Sequence, residues 1–357
     1  MKTFLRNILY FFVPFICLLV IEALLPPTSF SFRPYEGLTF GTKVPRRSSL
    51  YPNSKVSMIA FGDLCHHTNK AIAKPEFWIT DKLGFRNDEF IEEADILFIG
   101  DSFFAGASLS QDEIISNRVK SKSNNKIKVY NISPSSPSFS LFAYFLKTGL
   151  IKKPKLVIYS IVERDIPTPI IPYKGIMFKI IKIFEIGHFN VYLDKALKLS
   201  SIRWLKARIQ GNHGNGLPAK GDSNMYFYSG AFQKHEKNDL HTTLTIINSY
   251  KKYCDSLDIK FLFMPMPDKE TVYYELVPFD KQPNYLFQLD SLLKKANIST
   301  INTLKIYNEY RKTHQILLYH LDDTHWNSNA TELMSDKIIS FYYQNEQSSV
   351  GDKENNP

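Results

Sequence analysis

Five short apolar runs recur along the middle and end of the chain, at 95–99, 127–130, 156–161, 260–264 and 298–301. Their hydrophobicity is read as continuous rather than alternating, most plainly in 96–99, 156–159 and 261–264, the pattern of strands covered on both faces. Helical stretches separate them. Strands alternating with helices pair in parallel through right-handed crossovers, so the pattern predicts an α/β chain, a three-layer α/β/α sandwich with a five-stranded parallel sheet. Ligands in such sheets bind beyond the carboxyl ends of the strands.

The first 25 residues follow a different pattern. Lys2 and Arg6 precede a run from 8 to 21 without charge, followed by Glu22 and Ala-Leu-Leu-Pro-Pro. As a helix, 8–25 just spans a hydrocarbon layer of about 30 Å. Positive charge on the short N-terminal side keeps that end in the cytoplasm, and no Ala-x-Ala-like cleavage site follows. The reading is an uncleaved single-pass signal anchor, 1–25, in a bacterial inner membrane, with the rest of the chain in the periplasm or outside the cell. Residues 26–80 form a connector and N-terminal extension, of which 26–56, with five prolines, predicts an extended spacer. The main domain is 81–343. It carries an insertion, about 166–232, expected to form a helical cap over the carboxyl edge, with the basic amphipathic stretch 173–185 inside it. Residues 344–357 predict a disordered tail.

Composition narrows the function classes modestly. The 357 residues are 44% hydrophobic, enough for a substantial core, and the formal charge of +9 is spread over Lys-rich stretches rather than gathered in one run. That argues against a nucleic-acid partner and suits a solvated basic surface, or attraction to an acidic polymer or lipid. Cys17 falls in the apolar run, leaving Cys65 and Cys254, too few to fix the redox compartment. No zinc or phosphate-loop pattern is present, so no metal and no cofactor is expected; Cys65-His66-His67 lacks a second spaced ligand pair.

Gly100-Asp101-Ser102 ends the first run, and the stretch from Phe103 to Ser108 then offers small residues where the chain turns into a helix. Ser102 therefore sits at a strand's carboxyl end, held outward by a tight turn, with a helix N-terminus offering free N–H groups to a developing oxyanion. A serine needs a base to become a nucleophile, and the base needs an orienting carboxylate. Leu321-Asp322-Asp323-Thr324-His325-Trp326-Asn327 supplies both: His325 as base, with Asp322 or Asp323 folding back to the imidazole nitrogen that faces away from the serine.

Taken together these blocks resemble the SGNH hydrolase superfamily. Gly100-Asp101-Ser102 is similar to its first block, Asn131 in Val-Tyr-Asn-Ile-Ser-Pro-Ser-Ser to its second, and Asp-Asp-Thr-His-Trp-Asn to its last. A narrower resemblance is to the branch related to the alginate O-acetyltransferases, through Asp323-Thr324-His325-Trp326, Glu163-Arg164-Asp165, the run from Pro267 to Tyr273 and the run from Asp81 to Asn87. The resemblance implies an oxyanion and substrate set of Asn131, Ser136 and Arg164, with Lys269, Tyr273 and Trp326 as further substrate residues. It also departs from the pattern. Pro137 cannot donate an N–H where the second block usually has an oxyanion glycine nearby. Val162-Glu163-Arg164-Asp165 replaces Gly-x-Asn-Asp, leaving Arg164 as a charge-assisted donor in place of the asparagine, or as an ion-pair partner of Glu163, Asp165 or the cap. Asp322 fits the superfamily's Asp-x-x-His spacing and Asp323 the acetyltransferase Asp-x-His spacing; Asp323 is the preferred partner of His325, with Asp322 as the alternative.

The functions this implies share one acyl-serine step. The first is O-acyl transfer, with acetyl as the group, to a cell-envelope or exported polysaccharide; Tyr226, Phe227, Tyr228 and Trp326 would stack on sugar rings. It leaves room for a multi-span membrane partner that delivers the acyl group. The second is a carbohydrate esterase or deacetylase with the same triad and water as acceptor. The third is a non-catalytic glycan-binding or assembly protein.

Overall fold

The computed structural model of the chain describes residues 2–41, 48–133, 138–167, 188–210, 216–221, 224–232, 235 and 237–354. Its strands are β1 (Lys55–Ala60), β2 (Lys74–Ile79), β3 (Ile96–Ile99), β4 (Val129–Asn131), β5 (Leu156–Tyr159), β6 (Gly216–Pro218), β7 (Tyr226–Tyr228) and β8 (Lys260–Phe263). Four of them make the central sheet, in the order β4-β3-β5-β8, all parallel. Ile96, Leu97, Phe98 and Ile99 are all buried, as continuous hydrophobicity requires of a strand covered on both sides.

The chain leaves β3 for β4 on one side, then crosses back to β5 on the other, so the sheet has its switch point beside β3, where doubly wound sheets open a crevice. Right-handed crossovers then put the helices on opposite faces. On one face, helix Ser138–Thr148 packs on helix Lys237–Asp255 through Phe139 stacked on Tyr250 at 4.1 Å. On the other, helix Ile115–Lys122 packs on the last helix, Ser328–Glu354, where Arg118 and Lys122 pair with Glu332 and Lys122 with Asp336.

The predicted fifth strand shrinks to a single parallel bridge between Phe263 and Thr300. Asn297 turns the chain at φ 55°, and the Asn302 side chain already caps the next helix by accepting from Lys305 N. Too little extended backbone remains between them for a ladder. The tail is also corrected in part: the last helix continues through residues 344–354, because an established helix extends by one hydrogen bond per residue added without a new nucleus.

The expected spacer is not one. Leu38, Phe40, Leu50, Tyr51 and Trp78 form a second small core in the N-terminal extension, and β1 and β2 pair as an antiparallel hairpin. Burial of scattered large side chains overrides the Pro-rich composition. The segment from 81 to 87 locks this extension to the sheet: Asp81 accepts from Tyr130 Oη at 2.7 Å and from Asn87, and Asn87 bonds both the N–H and the carbonyl of Asn131.

The insertion divides. The stretch 173–185 lies outside the described residues. Helices His188–Lys198 and Ser200–Gln210 sit against the N-terminal segments: Tyr51 Oη and Gly41 N donate to Asp194, and Lys198 Nζ donates to Thr39 O at 2.6 Å. Among its described residues, the part that borders the sheet's carboxyl edge is the β6–β7 hairpin, where Tyr226 N donates to Leu321 O at 2.8 Å. Of the helical-cap expectation, the described helices 188–198 and 200–210 lie against the N-terminal segments through polar contacts rather than over that edge, and the rest of the expected cap, 168–187, lies outside the described residues. Helix Lys2–Leu24 carries the N-terminal apolar run, and its portion Arg6–Leu24 is long and apolar enough to cross a membrane.

Candidate active site

Three segments far apart in sequence meet at the carboxyl end of β3. Ser102 opens a four-residue helix, Ser102–Ala105, and Asp101 secures it from both sides: Oδ1 accepts from Phe103 N at 2.9 Å and Oδ2 from Val162 N at 2.7 Å, just past β5. The serine is held at the switch point, half-buried. The chain then turns back at Gly106, φ 73°, where a Cβ would lie 2.3 Å from Ile114. Arg86, fully buried and 3.6 Å from the Trp78 ring, donates to the carbonyls of Ala105, Gly106 and Leu109 and fixes that turn.

His325 arrives from the loop after residue 320. Its Nε2 lies 2.8 Å from Ser102 Oγ and its Nδ1 lies 2.6 Å from Asp323 Oδ1. Asp323 Oδ1 also accepts from His325 N at 2.9 Å, so the carboxylate holds both ring and backbone of the base. Oδ2 accepts from Ser108 Oγ at 2.6 Å, from Asp63 N at 2.9 Å and from Arg33 Nη1 at 3.2 Å. Burial works against the Asp323 charge, but His325, Arg33 and Lys74 hold its carboxyl well below the usual carboxylate range. Arg33 stays charged for the matching reason: burial opposes it, and Glu36, Asp323 and Asp63 outweigh the burial.

The choice between the two acids is made by contacts. Asp322 faces the other way, accepting from Gly62 N and Ile72 N, each at 2.9 Å, and pairing with Lys74 at 2.8 Å. Asp323 alone reaches the imidazole. Asp63 is a neighbour absent from the sequence reading: its carboxylate accepts from Thr324 N and Thr324 Oγ1 and lies 3.8 Å from His325 Nδ1. Asp63, Asp323 and His325 have ligand-type atoms within 4.8 Å of one another. Those atoms are already committed to each other, to Thr324, Ser108 and Ser102, which is the arrangement of a positioned base.

The remaining expected residues take other tasks. Asn131, fully buried, donates its side-chain amide to Phe104 O at 2.7 Å and accepts from Ser133 N, so it braces the serine helix instead of facing a substrate. Ser136 lies outside the described residues. Arg164 pairs with Asp268, none of its three expected partners, and its guanidinium sits 6.0 Å from the Phe103 ring and 5.8 Å from that of Tyr228. Lys269 is buried, and its ammonium sits among the carbonyls of Tyr226, His320, Leu321 and Asp323, two of them at 2.6 Å. It pins the histidine loop to the β6–β7 hairpin. Tyr273 accepts from Leu318 N under the same loop, and Trp326, fully buried, donates to Phe103 O at 3.1 Å. These three are supports, because burial removes them from any substrate.

Below Arg164 lies a buried acidic group. Burial, with Asp268 beside it, pushes the Glu163 carboxyl up to about 8, and burial with Asp268 pushes Glu270 up to about 7. Glu163 accepts from Asp268 N, and Glu270 from Tyr228 N.

No family model and no curated protein matches this chain. Solved structures that resemble it include a GDSL-like lipase from Bacteroides thetaiotaomicron VPI-5482, 12% identical over 71% of this chain and 88% of that one at a TM-score of 0.34. A catalytic mutant of an acetylxylan esterase from Geobacillus stearothermophilus is likewise 12% identical, over 70% and 94%, at 0.35. Likeness at that level bears on none of this chain's chemistry, which must come from the site itself.

Two expectations follow from the contacts. Asp323→Asn leaves the base without its anionic partner and in the wrong tautomer, so labelling of Ser102 by a fluorophosphonate should slow about a thousandfold or more. Asp322→Asn should keep most of that rate and instead lower the unfolding free energy, because Lys74 loses its partner; equal slowing in both variants would contradict the assignment of Asp323. The second concerns pH. A carboxyl raised in the folded state confers stability that is complete below its unfolded value, about 4.3, and is lost as pH rises through its folded value, here about 8 for Glu163. Glu163→Gln stays neutral throughout. It should gain on the parent chain as urea unfolding is repeated from about pH 5 up to about pH 9, and a constant difference across that range would refute the buried, protonated Glu163.

Proposed function

We propose that the chain is a membrane-anchored serine acyl-transfer enzyme that moves an acyl group, acetyl in the simplest case, from an ester or thioester donor to a hydroxyl of a glycan outside the cytoplasm. The observation that carries the reading is the continuous hydrogen-bonded line from Ser102 through His325 to a charged, buried Asp323.

In this reading Ser102 Oγ attacks the donor's carbonyl carbon as His325 Nε2 takes its proton. Asp323 fixes the imidazole so that Nε2 faces the serine, and its charge stabilises the imidazolium that forms. The tetrahedral intermediate collapses with cleavage of the bond to the leaving oxygen or sulfur, which receives the proton from the imidazolium. An acyl-serine remains. His325 then takes the proton of the incoming hydroxyl, whose oxygen attacks the acyl carbon, and returns it to Ser102 Oγ as the serine leaves.

At the start of the helix that begins with Ser102, the serine's own N–H lacks an intrahelical partner and suits the oxyanion. In this reading Arg164, ion-paired with Asp268 and 6.0 Å from the Phe103 ring, would add charge near the same region. Of the four aromatic residues expected to stack on a sugar, half-buried Tyr226 and Tyr228 would serve, Phe227 and Trp326 being buried. The apolar helix Arg6–Leu24 would hold the site at a membrane, in keeping with a donor delivered there by a multi-span partner. Water in place of the glycan hydroxyl would turn the same cycle into ester hydrolysis, and only the acceptor separates the two.

The test is acetate release and glycan acetylation from an activated acetyl ester by the full chain in detergent. Both should fall about a thousandfold or more in Ser102→Ala and in His325→Ala. Added glycan should divert acetyl from water to sugar in the parent chain. Unchanged turnover in both variants would sink the triad. Turnover that depends on the triad but never acylates glycan would make the chain an esterase.

A further inference from the structure

Helices His188–Lys198 and Ser200–Gln210 are joined at Leu199, φ 48°, and both leave a large apolar face uncovered. Phe189, Leu193 and Leu197 line one side of the first, opposite the Asp194 and Lys198 side that docks on the extension; Phe189 is 74% and Leu197 64% exposed. In the second, Ile202, Leu205 and Ile209 recur at helical spacing, Ile209 being 77% exposed, and the helix buries no residue at all. A helix of that kind in a soluble protein has no means of holding its place. This pair is held nonetheless: Ser201 N donates to Glu22 Oε1 at 2.8 Å, Trp204 lies 6.0 Å from Phe30, and the first helix packs along the apolar N-terminal helix.

Two further facts identify what covers the face. The pair meets the last turn of helix Lys2–Leu24, where Ser201 N reaches Glu22, and that helix is itself largely exposed and apolar. Its polar side is almost wholly basic: Arg203, Lys206 and Arg208 flank the second stripe, and Asp194, the one acid between 188 and 210, is already bonded to Tyr51 and Gly41. A basic helix with an exposed apolar stripe, docked where a spanning helix ends, matches the chemistry of an anionic lipid surface.

We propose that helices 188–198 and 200–210 lie in the headgroup layer of the bilayer, with the apolar stripe at the acyl boundary and Arg203, Lys206 and Arg208 on lipid phosphates. This rests on the reading of Arg6–Leu24 as a membrane span. The consequence is a fixed orientation: the anchor alone would let the domain swing, whereas three helices in contact with lipid set its tilt.

The experiment uses the full chain in vesicles of phosphatidylcholine and phosphatidylglycerol, with an environment-sensitive fluorophore on one cysteine at a time. Native Cys17 is exposed on the anchor, while Cys65 and Cys254 are buried and their thiols pushed up by that burial to about 12, so they stay unlabelled. In a Cys17→Ser background the label goes on Leu197→Cys or Ile209→Cys, with Asn125→Cys as the exposed control at the amino edge of the sheet. Lipids carrying a quencher near the headgroup should remove most of the signal at 197 and 209 and leave 125 unchanged, and Arg203→Glu with Arg208→Glu should weaken that quenching. If 197 and 209 behave like 125 while Cys17 is quenched by a deep-chain quencher, the proposal falls and the anchor stands. If Cys17 itself is not quenched, the membrane span falls and the proposal with it.

Discussion

Every segment that matters converges on the carboxylate of Asp323. Its two oxygens collect the ring and backbone of His325, the hydroxyl of Ser108 from the serine turn, the N–H of Asp63 after β1, and the guanidinium of Arg33 from just beyond the apolar helix. A fully buried charge survives only when such partners replace water on all sides. The requirement runs in both directions. Asp323 can stay ionised because four separate pieces of chain are folded around it, and those pieces are fixed relative to one another because each donates to the same group.

A second buried charge repeats the device on the other side of the histidine loop. Lys269 brings one ammonium to four carbonyls, three of them in residues 320–323, and burial lowers its pKa to about 8 although Glu270 and Asp323 pull the other way. The loop carrying His325 is thus clamped between an anion held by N–H donors and a cation held by carbonyls. Neither clamp touches Ser102. The 2.8 Å contact between Nε2 and Oγ is the residue of geometry set by groups outside the reacting atoms.

Ser102 and His325 were legible in the sequence because each sits where a continuous apolar run breaks into polar residues, a pattern with few meanings in a parallel sheet. Their orienting acid was narrowed to two adjacent positions with Asp323 preferred, and the contacts that decide it, those of Asp322 with Gly62, Ile72 and Lys74, are ones that nothing in the local spacing connects to residue 322. Arg33 and Asp63 left no signal for the same reason: Arg33 lies in the stretch 26–56 whose prolines suggested a spacer and Asp63 in the extension that follows it, while the apolar residues that fold this region, Leu38, Phe40, Leu50, Tyr51 and Trp78, follow no period. Lys269, Tyr273 and Trp326 have the right chemistry for a substrate, and only burial shows that they serve the loop instead. The fifth strand failed on length, because a turn and a helix cap consumed its residues.

The link from Arg33 to Asp323 has a spatial corollary. Nine Cα-to-Cα steps lead from Leu24, the end of the apolar helix, to Arg33, which even fully extended cover only about 30 Å. The real path is shorter, since the chain turns at 26–30 and again in the helix Pro34–Leu38. With the apolar helix in a bilayer, as proposed, the triad therefore cannot reach substrates deep in the envelope; it works within a few nanometres of the lipid. A soluble, diffusing esterase has no use for that restriction. An enzyme that takes its acyl group from a donor emerging at the membrane, as proposed, would have one, because tethering replaces a search in three dimensions by a high effective concentration at the surface, and Arg33, close to the apolar helix and bonded to Asp323, would then make the tethered segment part of the proposed active site.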